Sequence, residues 1–166
     1  MVKWQGKYLT AVTRGRWEYV ERARRIAAVV ILAEVDHKVV LVEQPRTPIG
    51  RRCLELPAGL VGDGDGNDDV ERAALRELRE ETGFTARGIE VLGEFYSSPG
   101  MVAEHFTLVR AHGLTRVGAG GGVDGEDIVT HLVPRGEIEA FVAAKRAAGV
   151  GIDVKLLLLL SPGLIG

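Results

Sequence analysis

Cysteine is all but missing from this chain. Among 166 residues only Cys53 carries a thiol, which excludes an intramolecular disulfide and any cysteine-based zinc cluster. The histidines His37, His105, His112 and His131 show no metal-ligand spacing. Excess positive charge is also lacking. The formal net charge is −2, against the basic surplus expected of a sequence-independent nucleic-acid binder. Long apolar runs are absent too. The most apolar stretch, "VKLLLLL", is far too short to span a bilayer and reads as a buried helix or strand, or as a subunit contact. The opening "MVKWQGKYLT" lacks the apolar segment of a secretory signal. These absences set the expectations of no nucleic-acid partner, no membrane partner and a reducing, cytoplasmic location. With no repeat and no interdomain linker, residues 1–166 are expected to form one domain.

What is present is a soluble, globular composition, with 46% hydrophobic and 27% charged residues. "KYLTAVTRGRWEYVER" predicts one or two short strands. "IAAVVILAEVDHKVVLVEQ" predicts two apolar strands around a turn at Asp36, His37 and Lys38. "CLELPAG" is a strand ending in a turn. "LVGDGDGNDD" is a loop whose Asp63, Asp65 and Asn67 imitate the start of a calcium loop. The twelfth position of such a loop would be Ala74, where a bidentate glutamate is required, so calcium is rejected. "DVERAALRELREET" predicts a helix, with Val70, Ala74 and Leu78 on one face. Asp68 is its expected cap, with Glu71 completing a capping box, and Gly83 its stop. "IEVLGEFY", "HFTLVRAHG" and "IVTHLVP" predict further strands. "RVGAGGGVDGED" predicts a mobile loop, and "GEIEAFVAAKRAAG" a second amphipathic helix. Mostly strands with two helices inserted predict an α/β (α+β) fold, a mixed sheet with helices packed on it.

The stretch "RELREETGF" breaks local rules. Glu77 and Glu81 are helix neighbours at i, i+4, and Glu77 and Glu80 at i, i+3. Like charges so placed destabilise a helix by roughly 0.2–0.5 kcal/mol per pair. Anions at the C-terminal end oppose the dipole by a further ~0.3–1 kcal/mol. One reading is a solvated face relieved by Arg72, Arg76 and Arg79. The other is functional, because such conflicts concentrate at functional sites. Several converging carboxylates make a hard oxygen site suited to Mg²⁺ or Mn²⁺.

The run Arg76, Glu77, Leu78, Arg79, Glu80, Glu81, Thr82, Gly83, Phe84 resembles the second half of the Nudix box, R-E-U-x-E-E-x-G-U, where U is a bulky apolar residue. The first half departs from that pattern. With Gly62 as the box glycine, Asp68 stands where the family has Glu. Alternatively "ELPAG" makes Gly59 the box glycine, with three extra residues in the "GDGDG" loop. Within the family, Pro99 falls sixteen residues after Gly83. "SPG" with Glu104, "EQPR" and "ELPAG" resemble the ADP-ribose pyrophosphatase subgroup.

That resemblance implies the Nudix fold, a mixed sheet sandwiched between helices, and hydrolysis of a nucleotide sugar's pyrophosphate bond. It implies two or three Mg²⁺ ions, with Mn²⁺ as the substitute. Glu77 and Glu81 would be the main ligands, assisted by Glu80 and the backbone carbonyl of Ala58. Arg76 would hold the box by pairing with a carboxylate. Arg46 would lie near the phosphates or terminal ribose, beside Glu55, Pro99, Gly100 and Glu104 as ligand contacts. Trp17 would stack on a base, and the N-terminal strands, about 1–22, would pack on the partner subunit of a homodimer. Glu126, on the glycine-rich loop, would be the general base, with Asp124, Asp127 and Glu104 as alternatives. Rival readings are a GDP-mannose or other nucleotide-sugar hydrolase and, in another class, a non-catalytic Nudix module that binds nucleotide.

Overall fold

Asp36 and His37 both adopt positive φ, 49° and 60°, the geometry of a tight two-residue hairpin turn. Around it the apolar runs form two long antiparallel strands, and the rest of the molecule is laid against this hairpin. The computed structural model describes residues 1–23, 26–62, 68–123 and 125–160. The strands are β1 (Val2–Gln5), β2 (Leu9–Arg14), β3 (Trp17–Arg22), β4 (Ala27–Val35), β5 (Lys38–Arg46), β6 (Arg51–Glu55) and β7 (Ala58–Val61). Helix α1 (Val70–Thr82) follows, then β8 (Phe84–Thr85), β9 (Gly88–Tyr96), β10 (His105–His112), β11 (Thr115–Arg116) and β12 (Val129–Pro134). Helix α2 (Ile138–Ala147), β13 (Gly151–Ile152) and a 3₁₀ segment (Val154–Leu160) complete the chain.

The main sheet runs β13-β6-β5-β4-β10-β9, with β12 on the other edge of β5 and β7 on the other edge of β4. It is mixed: β10 lies parallel to β4 and β13 parallel to β6, while the other pairs are antiparallel. β4 is apolar without alternation because both its faces are covered. Val29, Ile31 and Ala33 pack with Val40 against Ala73, Ala74 and Leu78 of α1. Val30 and Leu32 pack on the opposite side with Val39, Leu41, Leu54, Leu56 and Leu108, where α2 contributes Ile138, Phe141 and Val142. The sheet is therefore held between the two helices, as expected. Burying a leucine such as Leu78 completely contributes about 1.5–3 kcal/mol.

The stretch "KYLTAVTRGRWEYVER" forms two strands, β2 and β3, as expected. With β1 from the residues before it, they make an antiparallel sheet of their own, ordered β1-β2-β3. This sheet is joined to the segment before β10 by Val20 N–H to the Met101 carbonyl (3.0 Å) and Ala103 N–H to the Val20 carbonyl (2.9 Å). The leucine run is neither α-helix nor strand. It is 3₁₀, with Leu156 and Leu159 buried and Leu157 exposed. Among the described residues no helix is long and apolar enough to cross a membrane.

Four elements meet at one buried carboxylate. Glu43 of β5 accepts from Arg52 Nε (2.9 Å) on β6, from Lys145 Nζ (2.5 Å) on α2, and lies 3.1 Å from His131 Nε2 on β12. Burial by itself would raise its pKa, but hydrogen bonds from Lys145, His131 and Arg52 outweigh burial and hold it below the ordinary 4.5. A carboxylate depressed in the folded state stabilises above its unfolded pKa and loses that contribution as pH falls through the folded value. Glu43→Gln should cost about 3 kcal/mol at neutral pH, because the cations are left unpaired. Urea unfolding at pH 7 and below 4.5 checks this: the deficit should narrow on acidification.

Candidate active site

Helix α1 delivers the acidic residues, and its ends are defined by local chemistry. Asp69, not Asp68, is the N-cap: its carboxylate accepts from Arg72 N–H at 2.9 Å. The expected capping box is therefore not formed. Position N3 is Arg72, so Glu71 falls one residue short of reciprocating. Gly83 caps the other end at φ 73°, its N–H bonded to the Arg79 carbonyl.

Asp68 does something else. Arg76 Nη2 donates to Asp68 (3.0 Å) and to the Leu60 carbonyl of β7 (3.0 Å), while Nη1 donates to Glu77 (2.6 Å) and Glu80 (3.4 Å). One guanidinium thus fastens the acidic end of α1 to β7 and offsets three carboxylates. The shorter Asp68, at the position the box gives to Glu, reaches it. Of the two candidate box glycines, Gly59 is the one with a close approach. A Cβ there would lie 1.9 Å from the Glu77 carboxyl carbon, whereas a Cβ on Gly62 would meet none of the described residues within 4 Å. Residues 63–67, which include Asp63, Asp65 and Asn67, lie outside the described residues, as does Asp124.

Glu77 and Glu81 face a cleft of about 660 Å³ whose walls include Arg22, Arg46, Glu55, Ala58, Gly59, Glu104, Glu126 and Lys155. Glu81 is 5% exposed and accepts from the Ala58 N–H at 3.1 Å. Burial pushes its carboxyl up to about 8, with the Glu77 charge adding and the Ala58 bond opposing. Burial also raises Glu77, opposed by Arg76 and reinforced by the charges of Glu80 and Glu126. Arg76 and the Ala58 N–H compensate these two carboxylates only in part, since burial still raises both. Glu80 turns towards Arg76 and does not line the cleft.

Arg46 and Glu55 form a two-bond pair across β5 and β6, at 2.7 and 2.6 Å. The bond to Glu55 is the main cause that raises the Arg46 pKa. Glu55, expected as a ligand contact, thus presents both oxygens to Arg46. Glu104 pairs with Arg22 of β3. Trp17, Pro99 and Gly100 are not brought into the cleft. They line a second pocket, about 360 Å³, with Arg14, Tyr19, Val102 and Ala103. The segment 97–104 separates the two, since Ser97 and Glu104 belong to the cleft wall. Sequence reading missed Arg22 and Lys155, two cleft cations supplied by the N-terminal sheet and the C-terminal segment, which carry no motif.

The glycine-rich loop, expected to be mobile, is docked over its first half. Val117 and Gly118 N–H bond the Gly83 carbonyl (2.8 and 3.0 Å), Gly121 N–H the Glu81 carbonyl (2.9 Å) and Gly122 N–H the Glu80 carbonyl (2.9 Å). Thr130 Oγ1 adds a bond to the Glu81 carbonyl at 3.1 Å. The loop thereby satisfies carbonyls that a helix end leaves orphaned. Glycine is required for this: a Cβ on Gly120 would meet the Thr82 backbone at 2.5 Å. Beyond it, Glu126 turns back into the cleft, its Oε2 accepting from Val123 N–H at 3.1 Å. Among the described residues no group of three or more His, Cys, Asp or Glu side chains is placed to hold a metal ion by itself.

A family model described as the NUDIX domain matches residues 23–148. The chain belongs to the Nudix family. It is 32% identical over 164 residues to a GDP-mannose pyrophosphatase of Cronobacter sakazakii, covering 90% of this chain and 81% of that one. It is 41% identical over 85 residues to an ADP-ribose pyrophosphatase of Bacillus subtilis, covering 51% of this chain and 44% of that one. Against the first curated relatives that it matches, the Nudix chain spans about half their length. A crystal structure of an ADP compounds hydrolase superposes with a TM-score of 0.72 over 97% of this chain and 89% of the other, at 21% identity. That last likeness is one of fold.

The two glycines make distinguishable predictions. Gly59→Ala should drive the Glu77 carboxylate out of the cleft, at an overpacking cost of about 1–3 kcal/mol. Gly62→Ala should leave Glu77 in place and cost only backbone strain, of order 1–2 kcal/mol. Crystal structures of both variants, with urea midpoints, check the pair.

Proposed function

We propose that this Nudix chain hydrolyses the pyrophosphate bond of a nucleoside diphosphate sugar, ADP-ribose or a close relative, giving a nucleoside monophosphate and a sugar phosphate. With ADP-ribose the products are AMP and ribose 5-phosphate. One observation carries the reading: under-compensated Glu77 and Glu81 share a cleft with Arg46 and Glu126. The relatives named ADP-ribose and GDP-mannose pyrophosphatases support the substrate class and leave GDP-mannose as the second candidate.

The donor set suits Mg²⁺ or Mn²⁺. Glu77 and Glu81 are hard oxygen ligands, and an ion that keeps several waters needs only one or two carboxylates plus substrate phosphates rather than a closed cage. Two or three such ions, when bound, supply neutralisation of the diphosphate charge and a lower pKa for water. The chain's own residues do the rest. Arg46, aligned by Glu55, offers a planar guanidinium to phosphate or ribose oxygens. Glu126 accepts the proton of the water that attacks one phosphorus in line, while the bond from that phosphorus to the bridging oxygen breaks. Trp17, with Pro99 and Gly100 of the 97–104 segment, lines the pocket beside the cleft and would offer a base a face to stack on. Trp4, Tyr8 and Trp17 are each more than half exposed, and we assign that apolar N-terminal sheet to the contact with a partner subunit in a homodimer.

The test is a hydrolysis screen over ADP-ribose, GDP-mannose, ADP-glucose and NADH, with products identified by chromatography. ADP-ribose should turn over with Mg²⁺ and not with EDTA. Glu126→Gln should lower kcat by about 10²–10⁴-fold while KM stays near the wild-type value. No product from any substrate, or turnover indifferent to EDTA, contradicts the reading.

A further inference from the structure

Glu126 sits on a loop, and a general base is effective only when held in place; a displacement of about 1 Å can cost 10²-fold in rate. The docking of Gly121 and Gly122 onto α1 fixes the approach to Glu126. The departure is fixed by a different device. Arg52 of β6 donates through Nη1 to the Asp127 carboxylate at 2.6 Å and through Nη2 to the Asp127 carbonyl at 3.1 Å. Its Nε binds the Glu43 carboxylate at 2.9 Å, and Nη2 also binds the Glu43 carbonyl at 2.8 Å. We propose that Arg52 is a positioning residue, clamping the backbone beside Glu126 to the Glu43 anchor so that the Glu126 carboxylate is held in the cleft. The inference rests on the hydrolase reading above and assigns that reaction a residue outside the Nudix box.

Three observations separate this from an incidental surface pair. First, Glu43 is buried and is gripped independently by Lys145 and His131, so the inner end of Arg52 cannot drift. Second, the Asp127 side chain is 70% exposed. An ion pair so exposed contributes little stability, and water would satisfy the carboxylate equally well. What the contact does is fix the Asp127 carbonyl, one residue from Glu126. Third, the job needs a fork. A lysine has one point of attachment and cannot hold Asp127 through side chain and backbone while also binding Glu43. Asp127, an alternative base on sequence grounds, is by this geometry the handle rather than the base.

The experiment compares full-length Arg52→Ala, Arg52→Lys, Asp127→Ala and the double Ala variant with the wild type. It uses ADP-ribose and Mg²⁺, and measures amide hydrogen exchange over residues 121–128. Asp127→Ala leaves the Arg52–Glu43 bonds intact, so its urea midpoint should be unchanged. Its kcat should fall about 10–100-fold with KM within about threefold, and exchange near Glu126 should rise at least about tenfold. Arg52→Lys should recover part of the loss seen in Arg52→Ala, and the double variant should be no slower than Arg52→Ala alone, as for residues acting through one contact. The acid limb of the kcat–pH profile should persist in every variant, because none of them removes the base. Wild-type kcat and exchange in both Arg52→Ala and Asp127→Ala would overturn the proposal. So would a loss beyond about 10³-fold with disappearance of the acid limb, which would make Asp127 the base itself. A wild type that hydrolyses nothing would overturn the hydrolase reading instead, and exchange would still decide whether the clamp holds the loop.

Discussion

The site depends on what one guanidinium does at the end of α1. Arg76 binds Asp68, Glu77, Glu80 and the Leu60 carbonyl together. Without it, Glu77 and Glu80 would stand unpaired beside Glu81 towards the helix end where the dipole opposes them. With it, the acidic turn is tied to β7, and β7 in turn presents the Ala58 N–H to Glu81. Arg76 does not solve the whole problem, since burial still raises both Glu77 and Glu81. In the proposed reading a bound cation would relieve the remaining repulsion. This is the expected pattern when local rules are broken at a functional place.

The rest of the architecture serves that turn. Leu78, on the opposite face of α1, is anchored with Ala73 and Ala74 against β4 and β5. Gly59 leaves the room that Glu77 occupies. The glycine-rich loop covers the exposed carbonyls of Glu80, Glu81 and Gly83, so the backbone carrying the carboxylates is bonded from both sides. Glycine in this loop is therefore as much a matter of close approach as of freedom.

Periodicity and turn chemistry made much of this legible beforehand. The β4–β5 hairpin, the span of α1 and its glycine stop follow from local pattern, while helices on both faces of the sheet are what the Nudix resemblance implied. The convergence of Glu77 and Glu81 follows from helical spacing alone. Contacts between residues distant in the chain were not legible. Glu43 meets Lys145, and Arg52 meets Asp127, because β5 takes β12 and β6 on its two edges, and no short-range signal encodes that pairing. The one-residue shift of the cap from Asp68 to Asp69 came from a tertiary contact, Arg76 claiming Asp68. Trp17 and Pro99 share a pocket but not the cleft, a separation set by how the three N-terminal strands dock on residues 101–103.

The central claim is that Glu77 and Glu81 are compatible because divalent cations join them to a diphosphate. The most direct measurement is a crystal soaked with Mn²⁺ and a non-hydrolysable ADP-ribose analogue, with data collected for anomalous scattering. The account predicts Mn²⁺ peaks in contact with Glu77 and Glu81 oxygens and with the analogue's phosphate oxygens. Ordered analogue with no anomalous peak beside either carboxylate would contradict it.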